Sequence, residues 1–284
     1  MNRRAPMKIE NQNIVITGGS SGIGKEIAIQ CAEKGANVII LARRKELLDS
    51  ALIEIKKHGI KSDQQFASYS LDISDDKAVE KWARDYIKEF GHVDLLINNA
   101  GIAFCDHIEK TDIDVFKKVM SIDYFGVINM TKHLLPYMIQ RKSGYIVNVS
   151  SILGFMGVFG YSAYCPAKFA VSAFSEVLRY EMDKYNIKVS VVFPPDVDTP
   201  QNDYCSSTAP QVTKDLSSIG KLMTPQTIAR RIIRAIEKEK FIINPNFMGK
   251  VIYFINRWAP SLVSRVSLSA IRKSESKMRV NGGV

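Results

Sequence analysis

Asn13-Ile-Val-Ile-Thr17 runs without a break into Gly18-Gly-Ser-Ser-Gly-Ile-Gly24. The first five residues are short, apolar and β-branched, which predicts a buried strand. A helix follows over Ile23–Lys34, with Gly35 as its stop signal. Glycines at Gly18, Gly22 and Gly24 let the joining turn tighten and its backbone approach a pyrophosphate. The helix N-terminus supplies free N–H groups and a dipole that favours an anion. Ser20, Ser21 and Ile23 complete the expected contact loop. Taken alone, a Gly-x-x-x-Gly-x-Gly turn could be no more than a sharp connection. Placed between strand and helix, it predicts a dinucleotide site.

The same alternation continues outward. Apolar runs at Asn37–Ala42, Phe66–Ile73, Asp94–Ile97, Tyr145–Val149, Lys188–Phe193 and Phe241–Ile243 read as strands. Helical stretches fall at Lys45–His58, from Ser74-Asp75-Asp76 to Phe90, at Asp112–Gln140, Tyr161–Lys184 and Pro225–Lys238. The strands are continuously apolar rather than half polar, so they form a parallel sheet covered on both faces. The predicted fold class is α/β: a doubly wound, three-layer, Rossmann-like single domain over residues 8–245. Residues 200–222 are the expected substrate lid; Asp203–Gly220 within it is polar and lacks a clear period. Residues 246–284 form a basic, amphipathic C-terminal extension.

At 284 residues and 46% hydrophobic, the chain can bury a full core. The formal charge of +10 is unevenly spread, with seven basic residues and one acid, Glu275, from Lys250 onward. Basic positions there alternate with aliphatic bulk, which argues against a nucleic-acid arm. Cys31, Cys105, Cys165 and Cys205 show no C-x-x-C spacing and no histidine partner, so no metal site is expected. Reduced cysteines and the absence of an apolar leader stretch at the N-terminus predict a cytoplasmic location.

Cofactor choice is expected at the end of the second strand. Ala42-Arg43-Arg44 offers guanidinium groups where an NAD site usually places an acid. Arginine can bind a 2′-phosphate by charge-assisted hydrogen bonds, so NADP(H) is favoured. Arg43 is the leading contact; Arg44 is the second, or simply a solvated charge at a helix start. Asp72 and Ile73 close the third strand beside the expected adenine, where Asp72 could equally be a turn residue. Asn98-Asn99-Ala100-Gly101 follows the fourth strand, its amides suited to capping strand ends and its small residues to close approach of the adenosine. Finally, Tyr164-Cys-Pro-Ala-Lys168 sets a phenol and an ammonium on one helical face, with Ser151 thirteen residues upstream of Tyr164. A nearby cation favours phenolate and fits a tyrosine for acid/base work.

Thr17–Gly24, Asp72, Asn98–Gly101, Ser151, Tyr164-x-x-x-Lys168 and Pro194–Thr199, in this order, resemble the short-chain dehydrogenase/reductase family. The resemblance covers residues 11 to 245 and implies hydride transfer between a nicotinamide and a carbonyl or alcohol. It makes Tyr164 the general acid, has Lys168 lower the tyrosine pKa and bind the nicotinamide ribose, and has Ser151 orient the carbonyl. Pro194, Val197 and Thr199 would meet the nicotinamide carboxamide. The family's long helices, here Asp112–Gln140 and Tyr161–Lys184, often form four-helix interfaces, which implies a homo-oligomer, a dimer or tetramer.

Two positions depart from the family pattern. Asp123 stands in Met120-Ser-Ile-Asp-Tyr-Phe-Gly126 where an asparagine usually supports a relay water; its charge also competes for Lys168. Pro194-Pro195-Asp196-Val197-Asp198-Thr199 replaces the usual Pro-Gly and is similar to the version in 3-ketodihydrosphingosine reductases. That likeness implies a long-chain keto-lipid as substrate, with a steroid, retinoid or 3-oxoacyl ketone as alternatives and a non-catalytic NADP(H)-binding scaffold as a different class. Phe247–Ile271 is divided at Pro260 and interrupted by Lys250, Arg257 and Arg265. It suits peripheral contact with an anionic membrane surface, or packing on the core or on a dimer partner.

Overall fold

In the computed structural model, residues 7–217 and 222–281 are described; residues 218–221 of the expected lid and both chain ends lie outside them. The strands are β1 (Asn13–Thr17), β2 (Asn37–Ala42), β3 (Phe66–Ser70), β4 (Leu95–Asn98), β5 (Gly144–Val149), β6 (Ile187–Val192) and β7 (Ile242–Ile243). They form one parallel sheet in the order β3-β2-β1-β4-β5-β6-β7. The order reverses direction between β1 and β4, and a crevice opens at the carboxyl ends of such a pair.

Successive residues of the strands point to opposite faces. Ile14 and Ile16 face the layer made by α1 (Gly22–Ala32), α2 (Lys45–Lys57) and α9 (Pro225–Ile236). Val15 faces the other layer, made by α3 (Asp76–Phe90), α5 (Gly126–Arg141) and α6 (Tyr164–Met182). The central strands are dry on both faces, which is why they read as unbroken apolar runs, whereas β3 at the sheet edge is only partly buried. Asp75 caps α3 by accepting from Ala78 N at 3.0 Å, and Gly91 stops that helix with φ +78°.

Three local features differ from the sequence reading. The third strand ends at Ser70, so Asp72 and Ile73 stand in the turn beyond it. The stretch Asp112–Gln140 is not one helix: α4 (Ile113–Met120) passes through a π-turn, Ser121–Phe125, before α5 begins. The apolar period survives that turn, so the sequence pattern gives no sign of it. The polar stretch from Pro200 also folds, as α7 (Pro200–Thr208) and α8 (Gln211–Ser217). These helices are short, so hydrophobic periodicity had little length in which to appear.

The C-terminal residues form α10 (Phe247–Trp258) and α11 (Pro260–Asn281), divided at Pro260. One side of α10 packs on the body: Tyr253 stacks on Phe193, with ring centroids 5.6 Å apart, and Asn256 Nδ2 donates to Phe155 O at 2.6 Å. Phe193 is thus core packing. In α11, Ser274 donates to Asp215 of α8 at 2.6 Å, which ties the tail to the lid. Phe247, Phe254, Trp258, Leu262 and Val266 remain exposed. Among the described residues no helix is long and apolar enough to cross a membrane.

Candidate active site

An open cleft of about 1010 Å³ lies at the carboxyl ends of the strands. Its first wall is the β1–α1 turn. Gly18 (φ +67°) and Gly22 (φ +55°) adopt the left-handed region, and a Cβ at Gly18 would stand 2.9 Å from Ala100 Cα. Ser21 occupies the N-cap position of α1 but makes no side-chain cap to the first turn. Those amides therefore stay available to an anion, and the cradle fits a pyrophosphate.

The Asn98–Gly101 segment is fastened to this turn by its polar groups. Asn99 Nδ2 donates to Thr17 O (3.0 Å) and Gly18 O (3.3 Å), while Asn99 N and Ala100 N donate to Thr17 Oγ1 at 2.9 and 3.0 Å. Asn98 Nδ2 donates to Asn148 Oδ1 at 2.9 Å, joining β4 to β5. The expected capping of strand ends is present.

Arg43 and Arg44 line the cleft at the end of β2. Arg43 Nη1 lies 3.9 Å from Asp72 Oδ2, with both side chains about half exposed. Asp72 Oδ1 accepts from Ser74 N and Ser74 Oγ, so it shapes the turn while its second oxygen faces the cleft. Burial alone would raise the Asp72 carboxyl, but the Ser74 hydrogen bonds and Arg43 hold it below the ordinary range.

Ser151, Tyr164 and Lys168 converge at the other end of the cleft. Ser151 leaves β5 as an extended cap whose hydroxyl accepts from Leu153 N at 3.2 Å. Its hydroxyl is near enough to the Tyr164 phenol to favour the ionised form. Ser150 points the other way, donating to Lys168 O at 2.9 Å. Lys168 Nζ lies 5.5 Å from the Tyr164 ring centroid and donates to Val149 O at 3.2 Å.

Behind them, the π-turn presents Asp123, fully buried. Asp123 Oδ1 accepts from Ile102 N at 2.7 Å, and Oδ2 lies 3.1 Å from Lys168 Nζ. The second contact is a close charge pair rather than a well-aligned hydrogen bond. A Cβ at Gly101 would stand 2.8 Å from Asp123 Oδ2, so the glycine of Asn98–Gly101 makes room for the pair. Burial opposes the Lys168 ammonium, yet Asp123 more than offsets it and holds the lysine above its usual value. Burial likewise raises Asp123 against the pull of Lys168.

The Tyr164 phenol goes the other way from the sequence expectation. Burial pushes it up to about 12; Lys168 and Ser151 pull it down, while Asp123 opposes them. Lys168 pulls the phenol down, and the carboxylate behind it opposes that pull.

Of the expected site residues, all line the cleft except Gly24 and Asp123. Gly24 packs beneath the turn against Asn99 and Gly18, and Asp123 stands one layer back. The rest of the wall includes an apolar group that was not found from sequence: Phe104, Val115, Leu153, Tyr161 and Cys205. Individually these residues carry no motif, and only folding brings them together. Asp196 also lines the cleft, in the loop that departed from Pro-Gly. Among the described residues no group of histidine, cysteine and acid side chains could hold a metal.

The short chain dehydrogenase family model matches residues 12–209. A "3-dehydrosphinganine reductase" of Danio rerio is 37% identical over 230 residues, 81% of this chain and 69% of that protein. "Dehydrogenase/reductase SDR family member 7B" of Mus musculus is 34% identical, covering 95% of this chain and 84% of that one. The structure of a short chain dehydrogenase/reductase from Burkholderia phymatum in complex with NAD has the same fold, with a TM-score of 0.79 at 19% identity, covering 90% of this chain and 96% of that one. The chain belongs to the short-chain dehydrogenase/reductase family of oxidoreductases.

Proposed function

We propose that the protein reduces the ketone of 3-ketodihydrosphingosine to dihydrosphingosine with NADPH. The observation that carries the reductase reading is the meeting of Ser151, Tyr164 and Lys168 in one cleft with the glycine cradle. Relatives named 3-dehydrosphinganine reductase or 3-ketodihydrosphingosine reductase, at 34–37% identity, support the substrate. A nicotinamide dinucleotide bound in this cleft supplies the hydride. The backbone of Gly18–Gly24 holds its pyrophosphate, Arg43 and Arg44 its 2′-phosphate, and Lys168 its ribose. Asp72, Ile73 and Asn99–Gly101 flank the adenosine, and Pro194, Val197 and Thr199 the carboxamide.

Ser151 donates a hydrogen bond to the carbonyl oxygen and fixes its direction. Tyr164 transfers its proton to that oxygen as the carbon is reduced. A phenol held up near 12 is protonated at neutral pH, the state that an acid catalyst needs. Asp123 pairs with the Lys168 ammonium at 3.1 Å and holds it in place. The wall of Phe104, Leu153 and Tyr161 offers an alkyl chain an apolar surface.

Residues 8–245 form the reductase body in this reading, with 200–222 as its lid. Within the 246–284 extension, α10 rests on that body through Tyr253 and Asn256 and turns Phe254 and Trp258 outward, toward an anionic membrane surface on the cytosolic side in this reading. The exposed Phe125, Phe169, Val177 and Tyr180 on the long helices support a homo-oligomer. The likeness to family member 7B over nearly the whole chain favours another apolar ketone as the second reading.

Purified protein offered NADPH or NADH with 3-ketodihydrosphingosine, a ketosteroid and a 3-oxoacyl thioester tests this. NADPH oxidation is expected with the sphingoid ketone. Turnover confined to the steroid or thioester would rule out that substrate, and no turnover on any ketone would rule out the reductase.

A further inference from the structure

The carboxylate of Asp196 has no use in the chemistry described so far. Its loop is firmly built. Pro194 and Pro195 fix two successive φ angles ahead of it. Ile152 N donates to Pro194 O at 3.1 Å, which ties the loop to the segment following Ser151. Met223 N donates to Asp196 O at 3.4 Å, and Asp198 N to Met223 O at 3.0 Å. The backbone is therefore held on both sides, and the side chain faces the cleft.

Among the described residues no donor or cation meets this carboxylate. It caps no helix, since Thr199 provides the cap of α7. Asp72, at the far end of the cleft, is satisfied by Ser74 and Arg43. Asp123 accepts from Ile102 N and faces Lys168 in a close charge pair. The other cations lining the cleft are also placed elsewhere: Arg43 and Arg44 at the end of β2, and Lys118 exposed on α4. Burial accordingly holds the Asp196 carboxyl above its ordinary value, with no opposing influence. A half-buried acid without a partner is costly to keep.

Its surroundings are those of the reacting centre. Tyr161 lies within electrostatic reach of Asp196, and its ring centroid is 6.0 Å from that of Tyr164. Cys205 lies within electrostatic reach of both Tyr164 and Asp196. A molecule whose carbonyl meets Ser151 and Tyr164 thus shares one cleft with this acid, which stands near Tyr161 and Cys205. The complement of that acid is a cation close to the carbonyl carbon.

We propose that Asp196 is a specificity-determining residue that pairs with an ammonium group on the carbon next to the reacting carbonyl. The inference rests on the proposed function, because 3-ketodihydrosphingosine is an α-amino ketone, and it adds the residue that reads the amine. Steroid, retinoid and 3-oxoacyl ketones lack that group and leave the acid unpaired, so the site selects against them.

The test compares kcat/KM for a long-chain 2-amino-3-ketone with that for the same ketone lacking the amine. The wild type should prefer the amino ketone by about 100-fold or more. In Asp196→Asn that ratio should collapse to within about fivefold of one, and Asp196→Glu should restore part of it. Asp198→Asn, an exposed acid on the same loop, should keep the wild-type ratio. Because the readout is a ratio within one protein, a general loss of activity does not mimic the result. NADPH affinity measured on each variant identifies any that fails to fold. If the amino ketone is reduced but the ratio is near one, or persists in Asp196→Asn, the inference falls and the proposed function stands. If the wild type reduces only the ketone without an amine, or neither, both fall.

Discussion

Lys168 Nζ and Asp123 Oδ2 stand 3.1 Å apart, and neither side chain has meaningful access to water. This pair sets the electrostatics of the site. An unopposed buried ammonium beside Tyr164 would favour the phenolate; with Asp123 behind it, the phenol is pushed up to about 12 by burial. In the proposed reaction that phenol is the protonated acid that reduction needs.

Asp123→Asn removes that opposition and keeps an oxygen for Ile102 N. The Tyr164 phenol then falls from about 12, because the pull of Lys168 is no longer opposed. Alcohol oxidation needs phenolate and rises with pH through the phenol pKa, so its rise moves to lower pH. Ketone reduction needs the phenol, so its decline at high pH also moves lower. Below the pKa, each pH unit of displacement is about tenfold in phenolate fraction, and oxidation at fixed pH rises accordingly. Loss of one partner from a buried pair also costs stability, by about 3 kcal/mol. Profiles of kcat/KM against pH in both directions check the first claim; an unmoved or upward-shifted profile contradicts it.

Tyr164→Phe keeps the ring that packs near Tyr161 and removes only the hydroxyl. Loss of a positioned proton donor lowers kcat by about 10²- to 10⁴-fold. NADPH affinity, read by fluorescence titration, should stay within about threefold. Retained turnover would remove Tyr164 from the role of acid. Loss of cofactor binding would instead assign it a structural one.

The legible parts of this molecule are those in which one residue type serves one local purpose. Gly18 and Gly22 adopt left-handed backbone where the turn requires it, and Asp75, in the Ser74-Asp75-Asp76 stretch that opens the predicted helix, caps α3. β1, β2 and β4 to β6 read as apolar runs because both sheet faces are covered. What stayed hidden depends on three-dimensional neighbours. The π-turn at Ser121–Phe125 leaves the apolar period intact, yet it sets Asp123 against Lys168. The direction of the Tyr164 shift follows from burial, which a four-residue spacing cannot express. Likewise, Tyr253 and Asn256 look like any helix residues until they meet Phe193 and Phe155.

In the proposed function Arg43, at the end of β2, selects the cofactor. Its guanidinium is half exposed, and the 3.9 Å contact with Asp72 is too weak and too wet to hold it from a phosphate. Arg43→Ala should lower kcat/KM for NADPH by about 10- to 100-fold, the range for a hydrogen bond to a charged group. The value for NADH should hardly change, so the preference between the two narrows. Initial rates with each dinucleotide check this, and an unchanged ratio would shift the 2′-phosphate contact to Arg44.

The C-terminal helices offer a test in which packing and membrane contact separate by residue. Tyr253 and Asn256 hold α10 on the body, whereas Phe254 and Trp258 project outward, 62% and 74% exposed. Lys250, Arg257, Arg265 and Arg272 supply attraction to an anionic surface, about 1 kcal/mol for each that reaches it. A large apolar side chain adds about 1.5–3 kcal/mol when fully inserted. The double variant Phe254→Ser, Trp258→Ser should therefore lower binding to anionic vesicles by about 100-fold or more. Its melting temperature should stay near that of the wild type, because the anchoring face is untouched. Flotation on vesicles with and without acidic lipid, at low and high salt, measures this. Wild-type binding should weaken with salt and with loss of acidic lipid. Equal flotation of wild type and double variant would mean that these aromatics cover something other than a membrane.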